Sequence, residues 1–205
     1  MTPATPSAVA ARVTAHHRDD RRAVHRPDLR HAAVAVVVLD DPARGPGVLL
    51  TRRTSRLRDH PGQFALPGGS LDPGEDVVTA ARRELDEELG LRLDEEAVLG
   101  LLDDYPTRSG FVITPVVMAA SGAVADLRPS PDEVSELFHI TLGELDVEPR
   151  YVAIEESPRP VVQMPLVGHS IHAPTAAVLL QFREVALHGR TTRVDGLEQP
   201  VFAWR

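Results

Sequence analysis

The chain has 205 residues, and 30 acidic against 22 basic side chains give a formal net charge of −8. Length and a composition of 42% hydrophobic and 25% charged residues suit one folded domain with a real core and exclude a wholly disordered chain. Cysteine and lysine are both absent, which removes disulfide scaffolds, thiolate zinc sites, thiol nucleophiles, phosphate-cradling lysines and Schiff bases.

The acidic balance with 4% aromatic residues argues against nucleic acid as a partner, which needs a basic surface and stacking platforms. No apolar run approaches the roughly 20 residues of a membrane span, the longest being Ala32 to Leu39. Arg12 and the acidic pair Asp19 and Asp20 do not fit a secretory signal, so the expected compartment is the cytoplasm.

From the N-terminus, residues 1–30 are expected to form a polar helical arm from Ala8 to about Val24, read as a solvated surface helix that leaves a homodimer open. Residues 31–205 are expected to form one domain. The valine-rich run Ala32 to Leu39 predicts a buried strand, Asp40 to Gly47 a turn, and Gly47 to Arg52 its hairpin partner. Prolines and glycines from Pro61 to Gly74 predict a loop-dominated surface with a short strand near Phe64 to Leu66. Asp72, Pro73 and Glu75 have the form of a helix start with a capping box, and Gly90 of its stop. Strands are expected at 97–102, 111–119, 136–140, 151–155 and 161–167, a short helix at 141–145, and a second long helix over 173–187. This order predicts an α+β domain with a mixed sheet between helices.

The most informative side chains are Glu84, Glu87 and Glu88. At 100° per residue, with Glu84 at 0°, Glu87 falls near −60° and Glu88 near +40°, while Leu85 and Leu89 fall between about 100° and 140°. Three carboxylates on one sector about 100° wide repel one another, and Arg83 at i, i+4 from Glu87 is too little to neutralise them. A divalent cation with oxygen ligands would. Taken alone, however, the spacing is more commonly that of a solvated acidic face.

The cluster belongs to a longer pattern. Gly69, five residues, Glu75, seven residues and then Arg83-Glu84-Leu85-Asp86-Glu87-Glu88-Leu89-Gly90-Leu91 is similar at every specified position to the signature of the Nudix hydrolase family. The resemblance implies an α/β/α sandwich and metal-dependent hydrolysis of a nucleoside-linked diphosphate. It implies Mg²⁺ or Mn²⁺ as cofactor, held by Glu84, Glu87 and Glu88 with the Gly68 carbonyl. It further implies that Glu84 activates water, that Arg83 orients a glutamate and that Glu75 supports the site.

Upstream, the stretch from Leu49 to Gly69 resembles the second signature of the coenzyme A pyrophosphatase branch of that family. Leu49, Leu50, Thr51, Arg53, Leu57, Arg58, His60, Gly62, Pro67, Gly68 and Gly69 agree with it, while Thr54, Phe64 and Leu66 stand where the pattern has Ser, Val and Phe. Ser109-Gly110-Phe111, Thr114 to Val117 and Asp132-Glu133-Val134 also resemble that branch. Guanidinium forks suit phosphate oxygens. Arg53, Arg58, His60 and Gly69 are thus expected to bind substrate, Arg52 and Arg56 to be merely solvating, and Glu133 to be an additional base or ligand. The expected substrate is coenzyme A or its acyl derivatives. Other diphosphates (ADP-ribose, NADH, a nucleotide sugar, a nucleoside triphosphate) stay open because Leu66 departs from the pattern and Gly168 to Thr175 lacks the Trp-Gly pair expected of the branch; a ligand-sensing module is the remaining alternative, against which none of the signature carboxylates is missing. His169 and His172 are read as unliganded loop histidines.

Overall fold

The computed structural model describes residues 5–19, 29–55 and 62–204. Its helices are α1 (Pro6–Thr14), α2 (Val77–Leu89), α3 (Leu142–Leu145) and α4 (Thr175–Phe182). Its strands are β1 (Arg30–Asp41), β2 (Gly45–Arg53), β3 (Phe64–Ala65), β4 (Gly68–Ser70), β5 (Val98–Leu101), β6 (Tyr105–Pro106), β7 (Phe111–Ser121), β8 (Val134–Thr141), β9 (Arg150–Ile154), β10 (Ser157–Leu166) and β11 (His169–His172).

The valine-rich run is the central strand β1, and its period-two alternation serves two cores. Ala33, Ala35, Val37 and Leu39 pack with Ala80, Ala81, Leu85 and Leu89 of α2, while Val36 and Val38 pack on the opposite face with α1 and α4. β7 runs parallel to β1 over its whole length, from Arg30 opposite Phe111 to Asp40 opposite Ser121. Such a pair needs cover on both faces. The sheet is mixed, in the order β3-β2-β1-β7-β5 with β4, β6 and β8 paired beside it. Helices cover both faces, as the α/β/α sandwich requires. Every residue of α4 from Ala176 to Phe182 is buried, because the antiparallel sheet β11-β10-β9 contributes Val162, Met164 and Ile171 to the same core.

The hairpin partners β1 and β2 pair only from Val38 opposite Val48 to Asp41 opposite Gly45. Beyond that they splay. β4 takes over the vacated edge of β1, with Val34 opposite Gly68, and β3 takes that of β2, with Thr51 opposite Ala65. The wedge so opened holds the chain from Phe64 to Ser70.

Several expectations are corrected. Helix α2 starts at Asp76, whose carboxylate accepts from the N–H groups of Val78 and Thr79, not at Asp72. Gly74, at a φ of 83°, keeps the preceding residues in a turn closed by Glu75 N–H to the Asp72 carbonyl at 3.0 Å. The N-terminal helix ends at Thr14, and it is not solvated all round: Val9 and Val13 are buried in the core, and Arg12 donates to the carbonyls of Ala186 and Leu187. Strands β4, β6 and β11 were not anticipated. The last turn of the second long helix, Arg183–Leu187, is π-helical. Gly90 stops α2 in the left-handed conformation as expected. No helix of the described residues is long and apolar enough to cross a membrane.

The C-terminal segment is fastened by Glu198, 2% exposed, which accepts from Arg108, Arg159, Ser157 and the Gln199 N–H. Burial would raise its carboxyl, but the Arg108, Gln199 and Ser157 hydrogen bonds and the Arg159 charge outweigh it and hold the group down at about 2. A carboxyl depressed in the folded state adds stability above its unfolded value and loses it as pH falls toward the folded one. Urea unfolding at stepped pH should therefore show stability falling from the ordinary glutamate range down to pH about 2. Glu198→Gln should flatten that slope and cost about 1–3 kcal/mol at neutral pH; an unchanged slope would remove this role from Glu198.

Candidate active site

The helical angles of the three glutamates translate into their burial. Glu88, nearest the apolar seam, is 4% exposed; the side chain of Glu84 is 14% exposed and that of Glu87, farthest from the seam, 55%. α2 thus presents its carboxylates as a ramp from core to solvent. At the foot of the ramp, Glu88 accepts from the Gly68 N–H at 3.2 Å. Burial pushes its carboxyl up to about 7, the Gly68 hydrogen bond opposing and the charges of Glu133 and Glu84 assisting. Burial likewise raises Glu84.

Arg83 organises the outer side. Its guanidinium donates to Glu75 at 3.0 and 3.1 Å, to Glu84 at 2.8 Å, to Glu87 at 3.2 Å and to the Ser70 carbonyl at 3.1 Å. Glu75 reaches it because the turn before α2 folds back, with the Asp72 N–H donating to the second Glu75 oxygen at 2.9 Å. Glu75 is in consequence held below the ordinary range, chiefly by Arg83.

The glycines make the approach possible. A Cβ on Gly69 would lie 2.3 Å from a Glu84 carboxylate oxygen, and one on Gly68 would lie 2.3 Å from the Ala33 carbonyl. From the far side, the loop carrying Glu133 is tied to β2. The Thr54 N–H donates to the Glu133 carbonyl at 2.9 Å, and its hydroxyl to the Asp132 carbonyl at 2.9 Å. The charge of Glu133 accordingly acts on both Glu84 and Glu88. The hydroxyl retained at position 54 was the sequence signal for this brace.

A cavity of about 440 Å³ opens on Gly68, Gly69 and Ser70, with Arg30 and Arg53 in its walls. The buried Arg53 Nε has no hydrogen-bond partner. Arg52 pairs instead with exposed Glu136 at 2.8 Å, the solvating role expected of it. Leu66 lines the cavity. So do Thr175, Gln199 and Arg30, the last stacked on the Phe111 ring at 3.9 Å; none of these three was anticipated, since they meet only through the tertiary fold. Arg56, Arg58 and His60 lie outside the described residues. His169 and His172 sit on strand β11, not in a loop, and at i, i+3 they take opposite faces. His169 contacts the Phe64 ring at 5.0 Å, and His172 Nε2 lies 3.1 Å from the Gln163 amide.

Among the described residues no three acidic or imidazole groups already converge on a single point as a closed metal cage, Glu84 and Glu87 being turned onto Arg83. The donor set nonetheless fits a hard divalent ion: all oxygen, with partly buried carboxylates crowding one another and a Glu84 oxygen drawn up against the Gly69 backbone where a Cβ would otherwise be.

Residues 29–160 match the NUDIX domain family model. The chain belongs to the NUDIX family. It is 39% identical over 135 residues to the Nudix hydrolase NudL of Pectobacterium atrosepticum, covering 65% of this chain and 68% of that one. A NudL of Escherichia coli O1:K1 is 38% identical over 128 residues, 60% of this chain and 65% of that one. The chain thus spans about two thirds of the curated relatives it matches. A Nudix hydrolase from M. Smegmatis, RenU, shares the fold at 21% identity and a TM-score of 0.52, over 80% of this chain and 89% of that one.

The two glycines make separable predictions. Gly69→Ala displaces only a carboxylate, so it should weaken Mn²⁺ binding about 10–100-fold by calorimetry while the thermal midpoint stays put. Gly68→Ala meets backbone and should cost about 1–3 kcal/mol of stability; the opposite pattern would contradict this geometry.

Proposed function

We propose that this chain, a hydrolase of pyrophosphate bonds, cleaves the diphosphate of coenzyme A or acyl-coenzyme A. The products are 3′,5′-ADP and 4′-phosphopantetheine or its acyl form. The observation that carries the reading is the position of Arg53, a residue of the upstream signature. It lines the cavity that opens on Gly68 and Gly69, with an unpaired Nε beside the carboxylate ramp. A guanidinium so placed suits the oxygens of a diphosphate.

Glu84, Glu87 and Glu88 with the Gly68 carbonyl would hold Mg²⁺ or Mn²⁺. When bound, such ions neutralise phosphate charge and make water more acidic. Arg83 holds Glu84 and Glu87 in place, and Glu75 fixes Arg83. Glu84 stands as the residue to take a proton from water, with Glu133 facing it from the opposite loop as an additional base or ligand. Arg58 and His60 complete the expected anion surface, and Gly69 lets the phosphate approach the backbone.

A second reading, a different diphosphate such as ADP-ribose, NADH, a nucleotide sugar or a nucleoside triphosphate, is favoured by Leu66. It replaces the phenylalanine of the branch pattern and lines the cavity itself.

Assay of the purified chain with Mg²⁺ or Mn²⁺ against these substrates should give its highest kcat/KM on coenzyme A or an acyl derivative. Faster turnover of another member would select the second reading. Glu84→Gln should lower kcat about 10²–10⁴-fold with folding intact by circular dichroism, and full activity in that variant would overturn its assignment.

A further inference from the structure

Beside the cavity at Gly68 and Gly69 lies a smaller chamber of about 190 Å³, and the two share Gln63, Phe64, Pro174 and Thr175 as walls. Their electrostatic character differs. The larger carries the cations Arg30 and Arg53, whereas no acidic side chain and no arginine among the described residues lines the smaller. Its imidazole, His172, is pushed by burial toward the neutral form. A second phosphate or a carboxylate would find no counter-charge among these lining residues and would forfeit its hydration.

Two rings stand in the chamber's lining beside Ile171, Ala173 and Pro174. Phe64 is held by the Thr175 hydroxyl, which donates to its carbonyl at 3.0 Å. Phe202 stands edge-on to His172 at 5.4 Å, with 81° between the planes. Phe202 is 58% exposed, a large aromatic held at the mouth of a cavity with one side unused. It is not a loose end: the next residue, Ala203, is buried, and the Trp204 indole N–H donates to the Gln199 carbonyl at 2.9 Å beneath the Arg108 guanidinium. Exposed aromatics on a fixed backbone offer contact area at small entropic cost.

We propose that this neutral chamber receives the second arm of an asymmetric diphosphate, an uncharged and partly apolar extension, and that Phe202 is the residue that selects for it. The proposal rests on the reading that the diphosphate itself lies at Gly68 and Gly69. His172, Pro174, Thr175 and Phe202 all lie beyond residue 160, where the match to the family model ends. The selecting wall is therefore a property of this chain's C-terminal segment, separate from the carboxylate helix.

Titration calorimetry of the full chain with two probes tests it: coenzyme A, which carries a long neutral arm, and adenosine 3′,5′-bisphosphate, which lacks that arm. Phe202→Ala should weaken coenzyme A binding about tenfold and leave adenosine 3′,5′-bisphosphate unchanged, and Phe202→Tyr should restore most of the loss. Equal coenzyme A affinity in wild type and Phe202→Ala, equal weakening of both probes, or no coenzyme A binding by the wild type would each overturn the proposal. Hydrolysis is scored separately. The predicted binding difference without turnover would sink the hydrolytic reading and leave the chamber standing, whereas turnover with equal affinities would do the reverse.

Discussion

The site depends on one close approach, that of the Gly68–Gly69 backbone, lodged between a central strand and a helix where no side chain fits. β4 lies against β1 on one side, with the Ala33 carbonyl where a Gly68 Cβ would be. On the other side stand Glu84 and Glu88 of α2. The approach is possible because β1 and β2 separate after four paired positions and leave the wedge that β3 and β4 fill. A hairpin paired along its full length would have closed it. The architecture therefore brings backbone N–H and C=O groups to a row of carboxylates without any loop having to reach across solvent.

That placement costs electrostatic energy, and the surrounding residues limit the cost. Burying a carboxylate disfavours its charged form, and Glu88 and Glu84 both show the effect. Arg83 answers on the outer side, shared among Glu75, Glu84 and Glu87. Because Glu75 is itself pinned by the turn before α2, the arginine is directed rather than free to follow solvent. On the inner side, between Glu88 and Glu133, what opposes burial among the described residues is the Gly68 N–H and the nearby charge of Arg53. Among the described residues the guanidinium hydrogen bonds to these carboxylates thus all fall on the outer flank. This asymmetry follows from the helical angles, since the residue nearest the seam is the one that no arginine of the same helix reaches.

Much of this was legible in the residues. The buried valine-rich strand β1, the stop at Gly90 and the sector occupied by Glu84, Glu87 and Glu88 are local consequences of period and composition, and all three hold. The start of α2 was misplaced because Asp72 with Glu75 imitates a capping box. The true cap, Asp76, is distinguished only by the left-handed Gly74 before it. Arginines dominate the composition of the N-terminal helix and suggest solvation, yet two valines, Val9 and Val13, suffice to dock it once β5 and the π-helical turn Arg183–Leu187 are there to receive them. Strands of two to four residues such as β4, β6 and β11 carry no period of their own and exist only through their partners. The cavity walls contributed by Thr175, Gln199 and Arg30 are long-range in the same sense.

On the proposed reading, the reacting carboxylates and the C-terminal part of the cavity wall occupy different parts of the chain. The carboxylate ramp and the glycine approach fall inside residues 29–160, the portion that matches the family, and they rest on β1, β4 and α2. The far wall of the cavity comes from β11, the start of α4 and the segment around Gln199 to Trp204. This last segment is fastened by Glu198 to Arg108 and Arg159, that is, to the β6–β7 turn and to β10, and not to α2. Substitutions in the far wall can therefore reshape what is held beside the diphosphate without disturbing the carboxylates, because no hydrogen bond described between the two parts runs through Arg83, Glu84 or Glu88. On the proposed reading the helix would meet the reacting group, and the far wall, joined to other elements, would meet the arms attached to it.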